Sequence, residues 1–254
     1  MTPRKPRAGA YASERARTLR GEWENRARPR ARLLFWPLVA IGVIGILIAR
    51  PDALGVAFGI LIGAGAIGYA FLLEDVPDEV FRWERGAEGE RRTEDRLREL
   101  ERAGWTVVHD VQRRRSNWDH IVVGPAGVFV LETKDRRGEL AVSSGIPELR
   151  IDDKVVDDDR VSQWPRYLTA AAVSLKKEIE VAEGERPWVH PVLVFWGDFP
   201  ARIVDGPRVT FVHGDELVEW LKARPKKLSR GRQALIAAVL EDVAERPEAI
   251  GSDL

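Results

Sequence analysis

Hydrophobic and polar positions divide the chain into three stretches of different pattern. Residues 33–49 and 54–73 carry no charged side chain, and each run is about as long as a helix that crosses a bilayer. Only Arg50-Pro51-Asp52-Ala53 separates them. Backbone in lipid must satisfy its own hydrogen bonds as helix and cannot turn there, so the two runs predict an antiparallel transmembrane hairpin. Gly59, Gly63, Gly65 and Gly68 predict close packing of the second helix on the first. A cleaved signal peptide fits less well, because the charged lead is long and a second apolar run follows at once. Before the hairpin, residues 1–32 are rich in Arg, contain Pro3, Pro6 and Pro29, and show no sustained apolar period. That pattern predicts a flexible basic arm attracted to anionic headgroups.

Past a short linker at residues 74–85 the periodicity becomes that of a folded α/β domain over 86–254. Residues 88–103 predict a helix with Leu97 and Leu100 facing inward, closed by Gly104. Strands follow at 105–111, 118–123 and 128–134, the last two joined by the turn Gly124-Pro125-Ala126-Gly127. Both faces of these two strands are largely apolar, which predicts a sheet covered by helices on both sides. Residues 148–156 alternate as a short hairpin. Residues 159–182 form an amphipathic helix with Trp164, Leu168, Ala171, Leu175 and Ile179 as its stripe. A buried strand at 189–195, a short one at 209–212, and helices at 214–223 and 230–244 complete the domain.

Charge refines this picture. The whole chain balances 40 basic against 40 acidic residues. Residues 1–32 hold 10 of the basic and 3 of the acidic ones, and residues 74–254 have 29 against 36, a net of −7. The basic lead predicts an N-terminus inside the cell, and the hairpin then returns the domain to the same side. The expected placement is therefore multi-pass in the inner cell membrane, both termini cytoplasmic, with the lipid bilayer as partner of residues 33–73. A mildly acidic domain excludes nucleic-acid binding by bulk charge and requires a local patch. The absence of cysteine excludes disulfides and thiolate metal sites. Four scattered histidines lack zinc-ligand spacing, and no strand leads into a G-x-S-x-G or dinucleotide fingerprint.

The chemistry concentrates on the 118–134 hairpin. If the turn pairs Val123 with Val128, Asp119 falls opposite Glu132, about 5 Å away on one face, and Lys134 shares that face. Two carboxylates and a lysine at the end of an otherwise apolar face repel and desolvate one another unless they share a cation. Oxygen donors of this kind suit Mg2+ or Mn2+. Solvated strand-end charges are the plain alternative. Glu90 continues the inner stripe of the helix bearing Leu97 and Leu100, or else complements the helix dipole. Arg113, Arg114 and Arg115 lead into the strand of Asp119, and Arg136 and Arg137 follow that of Glu132. Both clusters flank the carboxylates and suit a phosphodiester polyanion, or form a solvated loop. Asp157, Asp158 and Asp159 read as a helix cap in preference to a second metal site. Gln163 and Tyr167, four residues apart, share a helix face beside the buried stripe.

The runs Gly86-Ala87-Glu88-Gly89-Glu90, Asn117-Trp118-Asp119-His120-Ile121-Val122-Val123-Gly124-Pro125 and Gly127-Val128-Phe129-Val130-Leu131-Glu132-Thr133-Lys134 together resemble the nuclease-related domain (NERD) family. That resemblance extends in less detail to about residue 196. Trp118 stands where the family commonly has a smaller aliphatic residue, and no proline precedes the aspartate. The family is placed in the PD-(D/E)xK superfamily, which implies a restriction-endonuclease-like mixed sheet flanked by helices. It further implies Asp119, Glu132 and Lys134 as the central triad and Glu90 as the helix-borne acid. Gln163 and Tyr167 resemble the glutamine and tyrosine on the helix after the E-x-K strand in some superfamily nucleases. The expectation is a membrane-anchored nuclease dependent on Mg2+ or Mn2+, cutting DNA or RNA. Asp119, Glu132, the Thr133 backbone carbonyl and Glu90 are the expected metal ligands. The alternative is a catalytically silent module on the same fold, binding nucleic acid or protein.

Overall fold

The computed structural model describes residues 8–48, 53–74, 76–113, 116–152, 154–156, 159–183 and 186–245. Residues 1–12 and 85–254 form one compact unit, and residues 13–84 form another.

The second unit is built on helix α1 (Ala10–Ile48), helix α2 (Ala53–Glu74) and the start of helix α3 (Asp78–Arg102). Residues 13–32 are helical, where the lack of an apolar period predicts a flexible arm. Helix propensity explains the difference: Arg, Ala and Glu dominate this stretch and form helix without needing a buried face. A Cβ added at Gly59, Gly63 or Gly68 would meet no described atom within 4 Å. At Gly45 a Cβ would lie 2.5 Å from the Phe58 ring.

Among the described residues no helix is long and apolar enough to cross a membrane. This overturns the expected multi-pass placement in the inner membrane with cytoplasmic termini. The transmembrane hairpin and the bilayer partner of residues 33–73 are likewise unsupported. A span needs about 20 consecutive apolar residues. Helix α1 does not coincide with the apolar run: it starts at Ala10 and carries Glu14, Arg17, Arg20, Glu22 and Glu24 along its first half.

The first unit has the expected α/β architecture. Strands β1 (Thr106–Arg113), β2 (Ser116–Gly124), β3 (Gly127–Lys134), β7 (Val189–Phe195), β8 (Ile203–Asp205) and β9 (Thr210–His213) form a six-stranded sheet in the order β1-β2-β3-β7-β9-β8. It is mixed: β1, β2 and β3 run antiparallel, β7 and β9 are parallel to β3, and β8 returns antiparallel at the edge. Three short strands, β4 (Glu139–Ser143), β5 (Ile146–Ile151) and β6 (Lys154–Val155), make a separate small sheet where one hairpin is expected.

Both faces of the large sheet are covered. Val122, Phe129, Leu131, Val192 and Val194 pack with Leu97 and Leu100 of α3 and with Leu217 and Leu221 of helix α5 (Leu217–Ala223). Ile121, Val123, Val128, Val130 and Leu193 pack on the opposite face. There they meet helix α4 (Asp159–Glu183), through Trp164, Leu168, Leu175 and Ile179, and helix α6 (Arg230–Glu245), through Ile236 and Leu240. The alternation within β2 and β3 thus feeds two cores, which is why both faces read as apolar in sequence. Asp157 and Asp158 lie outside the described residues, so their expected capping role is not visible.

Candidate active site

The β2–β3 turn sets the site. Gly124 pairs with Gly127, Val123 with Val128, and the ladder runs to His120 opposite Leu131. One residue further, Asp119 bends its carboxylate onto the neighbouring strand, where Oδ2 accepts a hydrogen bond from the Thr133 N–H at 2.7 Å. Thr133 thus meets Asp119 through its peptide N–H. Glu132 and Lys134 are two residues apart on β3, and Lys134 Nζ donates to Glu132 Oε1 at 2.6 Å. About a quarter of each of these two side chains is exposed. Asp119 is buried.

Helix α3 contributes Glu90 from across the sheet. Thr93, one turn on, fastens the helix: its hydroxyl donates to the Gly89 carbonyl at 3.1 Å, and accepts from Thr133 Oγ1 at 3.1 Å and Trp196 Nε1 at 2.8 Å. Gly89 permits the close approach, since a Cβ there would lie 2.8 Å from the Asp135 Cβ. Arg92 stacks over the Trp196 ring at 4.0 Å and pairs with Asp135 at 3.4 Å.

The acids influence one another. Burial first, then the charges of Asp110 and Glu132, push the Glu90 carboxyl up to about 7, against the pull of the Gly9 N–H and Lys134. Burial, Glu132 and Glu90 drive Asp119 well above the carboxylate range, although Lys134 and the Thr133 N–H favour its ionised form. For Lys134, burial opposes the charge, but Glu132 and Asp119 outweigh it and hold the ammonium more firmly than usual. Ionising all of these carboxyls would place more negative charge here than one lysine can neutralise, which is why protons are retained.

Asp110 belongs to this cluster and is absent from the sequence-based set. His109 pairs with His120 and Val111 with Trp118, which puts Asp110 across from Asp119. Asp110 itself takes a left-handed backbone (φ 53°) that interrupts the ladder. Aspartate tolerates this conformation better than most residues. As a consequence Val108 and Val111, three apart, pack toward the same core, as do Trp118 and Ile121. Asp110 is buried, accepts from Asn117 Nδ2 at 2.6 Å, and has its carboxyl raised chiefly by burial. The Arg113–Ser116 pairing fixes the β1–β2 register and is the signal that would have placed it there.

The flanking candidates fare differently. Arg113 is buried, donates to Glu178 Oε2 at 2.9 Å and the Val243 carbonyl at 3.3 Å, and lies over the Trp118 ring at 4.9 Å. It is a strut between β1, α4 and α6 rather than the expected phosphate contact, because those partners and its burial remove it from solvent. Arg114 and Arg115 lie outside the described residues. Arg136 is close enough for its charge to act on Lys134, and Arg137 is exposed. Tyr167 OH donates to Gln163 Oε1 at 2.6 Å on the exposed side of α4, and no described hydrogen bond joins either to the acids. His109 and His120 face each other, Nδ1 to Nδ1 at 2.8 Å, and burial holds His120 neutral.

The donor chemistry fits a hard divalent cation: all carboxylate, with protons retained for want of positive charge. Among the described residues, however, no three His, Asp or Glu side chains are gathered closely enough to hold a metal ion. Glu132 is engaged by Lys134 instead.

Residues 85–196, from α3 through β7, match the model of the family described as NERD, nuclease-related domain. No curated protein and no solved structure matches the chain.

Proposed function

We propose that the unit containing residues 85–254 is a phosphodiesterase of the nuclease-related type, acting on DNA or RNA with a divalent metal. One observation carries this reading: Asp119 is tied to β3 at Thr133, between Glu132 and Lys134, and Glu90 of α3 is near enough for its charge to act on Asp119, with both buried carboxyls raised. Strand-end charges in solvent would not be held so far from their ordinary protonation. The family match over residues 85–196 supports a nuclease-like role.

Asp119 and Glu132 would hold Mg2+ or Mn2+, with the Thr133 carbonyl and Glu90 completing or orienting the set. Such an ion, when bound, supplies Lewis acidity and lowers the pKa of water. The protein's own contribution is positional. Lys134 brings a fixed ammonium to the place where a phosphodiester would gain negative charge, and its strong retention of the proton suits it to electrostatic stabilisation. Arg136 and Arg137 offer guanidinium groups to the substrate backbone beside it.

Purified full-length protein is incubated with DNA and RNA in Mg2+, Mn2+ or chelator. Cleavage with metal alone is expected, and its loss by at least about 100-fold in Glu132→Ala and in Lys134→Ala, with circular dichroism unchanged. Cleavage retained in both variants would assign the activity elsewhere. The second reading is a silent module that grips nucleic acid or protein without turnover. It is favoured by the Glu132–Lys134 ion pair at 2.6 Å and, among the described residues, by the lack of a gathered three-acid set. Binding without cleavage under any metal would select it.

A further inference from the structure

Residues 8–12 belong to the same compact unit as residues 85–254, far away in sequence. Ala8, Gly9 and Ala12 are buried there. Three of their peptide N–H groups point at three carboxylates: Ala8 donates to Glu94 Oε2 at 3.0 Å, Gly9 to Glu90 Oε2 at 2.8 Å, and Tyr11 to Asp110 Oδ2 at 3.2 Å. Glu90 and Glu94 stand one turn apart on α3, and Asp110 interrupts β1 opposite Asp119. These donors open helix α1, where the first N–H groups have no partner within the helix and the dipole favours anions.

Gly9 makes the arrangement possible. Its φ is +71°, and a Cβ would fall 2.8 Å from the Ala87 carbonyl oxygen on α3. Any side chain at this position meets both backbone strain and a backbone atom. A docked segment with three directed hydrogen bonds, buried small residues and an obligatory glycine is built into the site. We infer that residues 8–12 are a positioning element of the acid cluster, with the Gly9 peptide holding the Glu90 carboxylate and the Tyr11 peptide holding Asp110. At Glu90 the N–H engages Oε2, and Oε1 retains the capacity to ligate. Groups that hydrogen-bond a ligating carboxylate govern metal affinity through its orientation. The consequence for metal rests on the function proposed above; the docking itself does not.

The test is a double-mutant cycle in the full-length protein: Gly9→Val, Glu90→Ala and the pair, each followed by Mn2+ titration and by thermal melting. Gly9→Val is expected to weaken Mn2+ binding about tenfold. It should lower the melting temperature, and lose most of the Mn2+ effect but only part of the melting effect when Glu90 is already alanine, since the strain at residue 9 remains. A strictly structural role would leave the Mn2+ affinity unchanged. Additive melting shifts overturn the inference. Tighter Mn2+ binding in Gly9→Val also overturns it, because it would make the segment a plug and not a support. A wild type that binds no Mn2+ refutes the metal reading, and the melting cycle then decides the docking alone. Should Gly9→Val fail to fold, Tyr11→Pro deletes the donor to Asp110 in the first helical turn, where proline is tolerated. The same non-additivity is then expected with Asp110→Ala.

Discussion

Asp119 tests the metal site without a substrate. Its carboxyl is buried beside Glu132 and Glu90, so a cation that binds only the folded chain relieves repulsion and stabilises the fold by mass action. Stabilisation of about 2.7 kcal/mol is expected once Mg2+ exceeds its Kd a hundredfold. Asp119→Asn should abolish that response and leave the metal-free protein as stable or slightly more so, since one like charge is gone. Thermal melts across a Mg2+ titration at constant ionic strength measure both, and a wild type indifferent to Mg2+ refutes the site. Glu90 adds a pH dependence whose sign follows from its raised carboxyl. The folded state retains the proton between the ordinary value of 4.5 and about 7, so Glu90 favours folding below this window and loses that contribution as pH rises through it. The shift corresponds to a loss on the order of 3 kcal/mol in the absence of metal. Denaturant unfolding from pH 4 to 8 should show this slope in wild type and a shallower one in Glu90→Gln. Equal slopes would mean that the proton is held elsewhere.

Among the elements, the β1–β2 hairpin holds the site and the cores together. Its end is anchored by Arg113, which reaches Glu178 on α4 and the Val243 carbonyl on α6. Arg113→Ala leaves an acid and a carbonyl without this donor and is expected to cost about 3 kcal/mol, with Arg113→Lys recovering only part, because a single ammonium does not reproduce the planar fork. Chemical denaturation reads the cost. Nucleic-acid affinity, measured where each variant is fully folded, should stay at the wild-type value; a selective loss of affinity would return Arg113 to the substrate surface. At the other end of β2, the two-residue β2–β3 turn Pro125-Ala126 sets the register that puts Asp119 beside Thr133. A slip by one residue would turn Glu132 and Lys134 to the α3 face and disperse the cluster.

On the scale of the whole molecule, charge decides how a polyanion is met. Net charge is zero, with 40 residues of each sign, so long-range attraction is weak and contacts must be local. Arg136 and Arg137, directly after the strand of Glu132 and Lys134, are the described candidates for phosphate contact. Replacing both by alanine should weaken binding about equally for unrelated sequences. It should also reduce the slope of log K against log salt by up to about 1.8 on duplex DNA. Fluorescence anisotropy between low and moderate salt measures this, and an unchanged slope excludes both residues from phosphate contact.

Much of this organisation was legible in the residues. The Gly124–Gly127 turn, flanked by apolar alternation, determined the β2–β3 register and with it the neighbourhood of Asp119, Glu132 and Lys134. A period-3.6 stripe marked α4, and the largely apolar run at 189–195 announced a buried strand. These are local properties, set by steric preference and by which side chains leave water. The apolar runs at 33–49 and 54–73 show the limit of the same reasoning, for hydropathy alone predicts two spans and among the described residues no helix is long and apolar enough to make one. Arg113 reads as a surface charge until α4 and α6 close over it. Asp110 enters the site only because its left-handed backbone interrupts β1, and Gly9 only because residues 8–12 dock some eighty positions along the chain from the acid they hold. Contacts of that separation depend on how packed elements meet, and no periodicity in the sequence encodes them.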